Sequence, residues 1–218
     1  MNNLIPNGFI DVDDGLATLT FKRRLAHPIE EVWAAITDPK QRGDWFGDTV
    51  IDGRPGGTIE MIAEGPPVSR EQRTITGRIL VWDPPHILEH EWNQPLVEKG
   101  VVRYELAAEA DATILTFTHR GLSVPNAQGY ISGSHAFLDR LAAQLDGTDL
   151  PNWQQRFVEV QRTYYTVKSE KRLVRSERIV KRFFACSANR KLTNSDEPEL
   201  VPTVLYAYSS SYRCQSSK

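Results

Sequence analysis

The strongest constraint on the fold of this chain is a change of period between Leu16 and Phe46. In Leu16 to Arg23, Ala17, Leu19 and Phe21 alternate with Thr18, Thr20 and Lys22, the pattern of a strand covered on one face. Immediately afterwards Ile29, Val32, Trp33 and Ile36 recur at helical spacing. Pro28 suits a first helical turn, because its missing N–H is one that a helix start leaves unpaired, and Glu30 and Glu31 favour the positive end of the helix. A helix is therefore expected from near His27. Thr37-Asp38-Pro39 closes it, since the residue before proline avoids the α region. Lys40 to Phe46 leaves room for one further short turn ending in Trp45-Phe46, which would set Trp33 and Trp45 close together.

From there the chain reads as strands joined by short links. Asp48 to Met61 turns at Gly53 and Pro55-Gly56-Gly57, and Ala63 to Arg73, with Gly65-Pro66-Pro67, reads as an exposed rim loop. Thr74 to Trp82 and His86 to Trp92 are two strands about Asp83-Pro84-Pro85, where two backbone donors are missing. Glu98 to Ala108 and Ala112 to His119 repeat the pattern, which brings the expected total to about seven antiparallel strands. Pro125 to Leu145 then returns to helical spacing through Ile131, Ser134 or His135, Leu138, Leu141 and Leu145, and Asp146-Gly147 supplies a stop. A sheet with Leu19, Phe21, Tyr104, Leu106, Leu115 and Phe117 on one face must be covered, and this helix is long enough to cover it. The fold class is α+β, a curved antiparallel sheet wrapped around a long C-terminal helix, with two short helices after the first strand.

Charge separates the body from the tail. Residues 1–165 carry 15 Lys+Arg against 23 Asp+Glu, whereas Thr166 to Thr193 carries 9 against 2. An acidic body argues against nucleic acid as its partner, because phosphate neutralisation needs a cationic face, and only the basic tail leaves that option. Cys186 and Cys214 lack metal-ligand spacing, and Asp44, Asp48 and Asp52 lack the glycine-containing calcium-loop pattern, so neither a metal nor a cofactor is expected. No signal-peptide pattern or apolar run of about 20 residues is present, so the expectation is a cytoplasmic protein without a transmembrane segment, monomeric or dimeric. The expected organisation is an N-terminal arm over 1–15, a domain over 16–150, a basic helical extension over 151–185 and a disordered tail over 186–218.

Four stretches in this order carry a family resemblance: HPIEEVWAAITDP with Trp45-Phe46, VIDGRPGGTIEM, the GRILVWDPPHILEHEW of Gly77 to Trp92, and AFLDRLAAQL in the last helix. Over about Leu16 to Leu145 the chain resembles the branch of the START-like (SRPBCC) superfamily related to the activator of heat shock protein 90 ATPase. The resemblance implies a helix-grip fold with an apolar cavity between sheet and last helix, which in relatives holds lipids, sterols, polyketides or other hydrophobic molecules. It implies a pocket rather than a reaction. Many relatives carry a tryptophan just after the glycine of the last helix, where this chain has Ser134 after Gly133; loss of an indole there would enlarge the cavity.

On that reading Trp33, Trp45, Trp82 and Trp92, with Tyr104, Phe117, Phe46, Met61 and Leu138, either wall a ligand cavity or simply fill the core. His119, His135 and Ser134 are the polar candidates, Tyr104, His119 or Ser134 orienting a polar end of the ligand. No Ser, Cys or carboxylate is visibly placed to complete a triad with either histidine. Glu89 and Glu91 share the strand face opposite Leu88, His90 and Trp92 and read as outward charge; Arg54-Pro55-Gly56-Gly57 reads as a turn rather than a phosphate cradle. The expected function is intracellular binding of a hydrophobic small molecule. The alternatives are a co-chaperone contacting a heat-shock ATPase, and a cyclase or hydrolase using a pocket histidine.

Overall fold

The computed structural model describes residues 5–95 and 97–163. The basic tail beyond 163, its two cysteines and the disorder expected over 186–218 lie outside the described residues. The chain divides into two compact units, Met1–Phe157 and Val158–Lys218, and all the elements named below belong to the first.

The change of period marks real boundaries. Strand β2 (Leu16–Leu25) buries Ala17, Leu19 and Phe21, the residues that alternate in sequence. Helix α1 (Ile29–Thr37) comes next with Pro28 at its N-cap and Glu30 and Glu31 in its first turn, and buries Ile29, Val32 and Ile36. Asp38 ends it in an extended conformation and caps α2 (Pro39–Trp45), its carboxylate accepting from the Gln41 amide. Strands β3 (Gly47–Ile51) and β4 (Thr58–Ala63) form the expected hairpin. The rim loop contains a single helical turn, α3 (Arg70–Arg73), closed by a reciprocal Ser69–Gln72 capping box. Strands β5 (Thr74–Asp83), β6 (Ile87–Trp92), β7 (Gly100–Glu109) and β8 (Ala112–Ser123) lead to α4 (Val124–Leu145), whose first turn is capped by Ser123.

Among the described residues the sheet has eight strands, not about seven. The residues expected as an N-terminal arm contribute β1 (Ile5–Asp13), antiparallel to β2 across an Asp14-Gly15 turn in which both residues have positive φ. That Asp-Gly pair is a hairpin signal. It is masked in the sequence by a register shift between Ile5 and Phe9, which breaks the alternation on β1.

The strand order is β1-β2-β8-β7-β6-β5-β4-β3, so the departure from sequence order is the pairing of β2 with β8. This pairing brings the two ends of the domain together and lets α4 return across the inner face, where Ala127, Ile131, His135, Leu138 and Leu141 are buried. Two adjacent rows of side chains cross the inner face of the sheet. One runs Leu88, Tyr104, Phe117, Phe21 and the next His90, Val102, His119, Leu19, each across β6, β7, β8 and β2. Side chains alternate between faces along each strand, so both rows point into the interior of the domain. No helix of the described residues is long and apolar enough to cross a membrane.

Candidate functional site

The interior between sheet and α4 is organised around a residue that composition gives no reason to place there. Arg42, on the polar-looking helix α2, is fully buried. Its Nη1 donates to the Ile36 carbonyl at 2.7 Å, at the C-terminal end of α1 where unpaired carbonyls carry partial negative charge. Its Nη2 donates to the Met61 sulfur at 3.1 Å and to the Tyr104 hydroxyl at 3.3 Å. The guanidinium carbon lies 5.3, 5.0 and 5.4 Å from the ring centroids of Trp45, Phe46 and Tyr104. Its Nε–H has no acceptor among the described residues.

Two histidines on the inner face extend this polar strip. His90 and His119 occupy one sheet row on either side of Val102 and are both essentially inaccessible. His90 Nδ1 lies 2.8 Å from the Glu91 carbonyl, which can only accept, so the proton sits on Nδ1 and Nε2 presents a bare lone pair. Neither His90 Nε2 nor His119 Nε2 has a hydrogen-bond partner among the described residues. Burial, and then the charge of Arg42, pushes His90 down to about 4. Burial, and then His90, pushes His119 down to about 3. The ring of His119 is accommodated because position 100 is glycine: a Cβ there would stand 2.7 Å from His119 Nε2.

Aromatic rings enclose the strip. Phe46 meets Phe137 of α4 at 4.6 Å between centroids and Trp92 at 6.3 Å. His119 meets Trp92 and Tyr130, both at 5.1 Å. Gln94 fastens this end, its Oε1 accepting from Trp92 Nε1 and the Tyr130 hydroxyl while its Nε2 donates to the Gln72 carbonyl. Chemically the strip presents one fixed cation, one lone-pair acceptor and a second imidazole among aromatic rings.

Of the residues singled out in the sequence, Trp45, Phe46, Met61, Trp92, Tyr104, Phe117 and His119 come together here, all buried. Phe117 meets Tyr104 edge-on at 5.1 Å and Phe21 at a tilt at 6.1 Å. Leu138 is buried on α4 and Ser134 is half-buried. Trp33 does not pair with Trp45. Its half-buried ring meets Trp82 edge-on at 5.2 Å, beside Gly53, while Trp45 turns inward and donates from Nε1 to the Ala35 carbonyl at 2.8 Å.

His135 stands apart from His119. It packs on Phe21 and lies 3.4 Å from Asp139, which also takes Arg23 and Arg156 at 2.6 Å each. Burial works against the Asp139 charge, but these hydrogen bonds and cations outweigh it and hold the carboxyl well below the usual range. An indole does lie against Gly133, supplied by Trp153 rather than by position 134. Trp153 is lodged between Gly133 and Gly65, 3.4 and 2.6 Å from where Cβ atoms would stand.

Arg42 and His90 were not singled out in the sequence. His90 was detectable, since it alternates with Glu89 and Glu91 on the face of Leu88 and Trp92. Those two glutamates do lie on the opposite face, Glu91 paired with Arg78, but Glu89 is buried beneath Arg103 and Arg120 rather than solvated. Arg42 had no such signal. A surface groove of about 680 Å³ between α2, β3, β4 and α3, lined by Lys40, Asp44, Asp48, Val50, Glu60 and Arg70 among others, contains none of the residues predicted for the site. Among the described residues no group of three or more His, Cys, Asp or Glu is placed to hold a metal ion.

Comparison with solved structures gives the same architecture. CalU16 from Micromonospora echinospora is 23% identical at a TM-score of 0.57, over 73% of this chain and 94% of that one. A protein of Bordetella parapertussis is 24% identical at 0.57, over 75% and 94%. A conserved protein of unknown function from Enterococcus faecalis is 15% identical at 0.59, over 75% and 91%. At these identities the likeness establishes the fold. None of the curated proteins compared with the chain matches it. The family model described as Activator of Hsp90 ATPase homolog 1-like protein matches residues 26–146, from just after β2 through α4, and so covers Arg42, His90 and His119. The chain belongs to the Activator of Hsp90 ATPase homolog 1-like family.

Proposed function

We propose that the domain binds a hydrophobic small molecule between the inner face of the sheet and α4. The reading rests on a set of unpaired polar atoms in that space. Arg42 Nε, His90 Nε2 and His119 Nε2 are buried without partners among the described residues, surrounded by the rings of Phe46, Trp92 and Tyr104. A core selected only for stability satisfies or eliminates such atoms, because each unmade hydrogen bond forfeits the desolvation of its donor or acceptor. An occupant that brings complementary groups gives them a use, and burial of its apolar surface supplies the bulk of the affinity, roughly 25 cal/mol per Å². The family fold supports the same reading.

Titration of the purified protein with a neutral solvatochromic dye tests it. Saturable binding, competed by unlabelled hydrophobic compounds and lost when a bulky residue fills the interior (Val102→Trp), is the expected result. A dye signal that neither saturates nor competes would remove the carrier reading.

A further inference from the structure

We propose that the ligand is an acid, a hydrophobic carboxylate whose head group is anchored by the buried guanidinium of Arg42. This rests on the carrier reading above and specifies its ligand class. Among the described residues no carboxylate forms an ion pair with Arg42; its partners are a carbonyl, a thioether, a phenol and three ring faces. A lysine in this position could shed its proton, but a guanidinium stays charged at any accessible pH. Among the described residues the interior therefore holds a permanent positive charge without a counter-ion.

The inner wall does not balance it. The two inner rows of the sheet contain His90 and His119, held neutral, together with Leu88, Tyr104, Phe117, Phe21, Val102 and Leu19. The carboxylates nearest in sequence to His90 lie on the opposite face and are already taken by Arg78, Arg103 and Arg120. An unpaired buried ion is strongly unfavourable, whereas an anion supplied by a ligand forms charge-assisted bonds to a buried guanidinium. The unused Nε–H is the donor left for that contact.

The matched probes are straight-chain carboxylates of eight to sixteen carbons and the primary alcohols of the same lengths, measured by calorimetry on the full chain at neutral pH. The expected result is that the best carboxylate binds at least tenfold more tightly than its alcohol. Arg42→Met should abolish that preference while alcohol binding persists, and Arg42→Lys should keep part of it. Cooperative thermal unfolding of ligand-free Arg42→Met, read beside its selectivity, separates loss of the anchor from loss of the fold. Equal affinity for acid and alcohol, or selectivity that survives in Arg42→Met, overturns this proposal and leaves the carrier reading standing. Failure of both series to bind overturns both. Should Arg42→Met fail to fold, the wild-type comparison of acid with alcohol decides alone.

Discussion

His90 and His119 stand in the same row of the sheet, separated only by Val102, and both are buried as neutral imidazoles. Their folded-state values, about 4 and about 3, lie below the ordinary histidine value of 6.5. The unfolded chain therefore binds more protons than the folded one once pH falls below the ordinary value, and stability drops as acid is added. By pH 5 the loss is roughly 2 kcal/mol for each histidine. Urea midpoints measured from pH 7.5 to 5 should fall accordingly, and His90→Gln with His119→Gln should flatten the profile. Unchanged pH dependence in the double variant would show that neither imidazole is buried. The carboxylates held down by arginines contribute only at lower pH, so this window isolates the histidines.

Asp139 ties together three elements, receiving Arg23 from β2, His135 from its own helix and Arg156 from the segment after it. Removing the charge takes a partly buried anionic acceptor away from these side chains. Asp139→Asn should lower the unfolding free energy by about 2–4 kcal/mol in urea denaturation. A change within experimental error would mean that solvent screens these pairs.

Trp153 is nearly inaccessible and packs against Phe137 and Phe157 at 5.5 and 5.0 Å. Trp153→Ala should cost about 3 kcal/mol, since glycines at 65 and 133 leave no side chains there to refill the space. Differential scanning calorimetry measures this directly, and a melting temperature equal to the wild type would refute the packing.

Gly100→Ala places a methyl 2.7 Å from His119 Nε2 and 2.9 Å from the Arg120 carbonyl. The backbone oxygen cannot step aside as a side chain can, so a destabilisation of about 1–3 kcal/mol is expected. The same variant should move the His119 ring resonances in an imidazole NMR spectrum, which an effect confined to the strand end would leave in place.

Much of the fold is legible in local pattern because the forces that set it are local. The alternation of Leu19 and Phe21, the proline boundaries of α1 and the stripe of α4 each report a buried face one element at a time, and the structure keeps those faces inward. The strand face that Glu89 and Glu91 share is legible for the same reason. β1 escaped because its alternation is broken by a shift in register, although Asp14-Gly15 marked the turn. The partnership of Trp33 with Trp82 rather than Trp45 depends on how α1 lies over a strand far along the chain, which no spacing encodes.

The order of elements and the face that each one buries are written in the chain itself, since side-chain period and backbone preference act within a few residues. The polar centre is not. Arg42 sits in a stretch, Lys40-Gln41-Arg42-Gly43-Asp44, that reads as solvated surface, and its burial arises because α2 is pressed between the end of α1 and the inner wall at Met61 and Tyr104. A charge is drawn inward only when distant elements together supply its acceptors, rings and dipoles, and that sum exists nowhere along the chain until the sheet has closed over the helix.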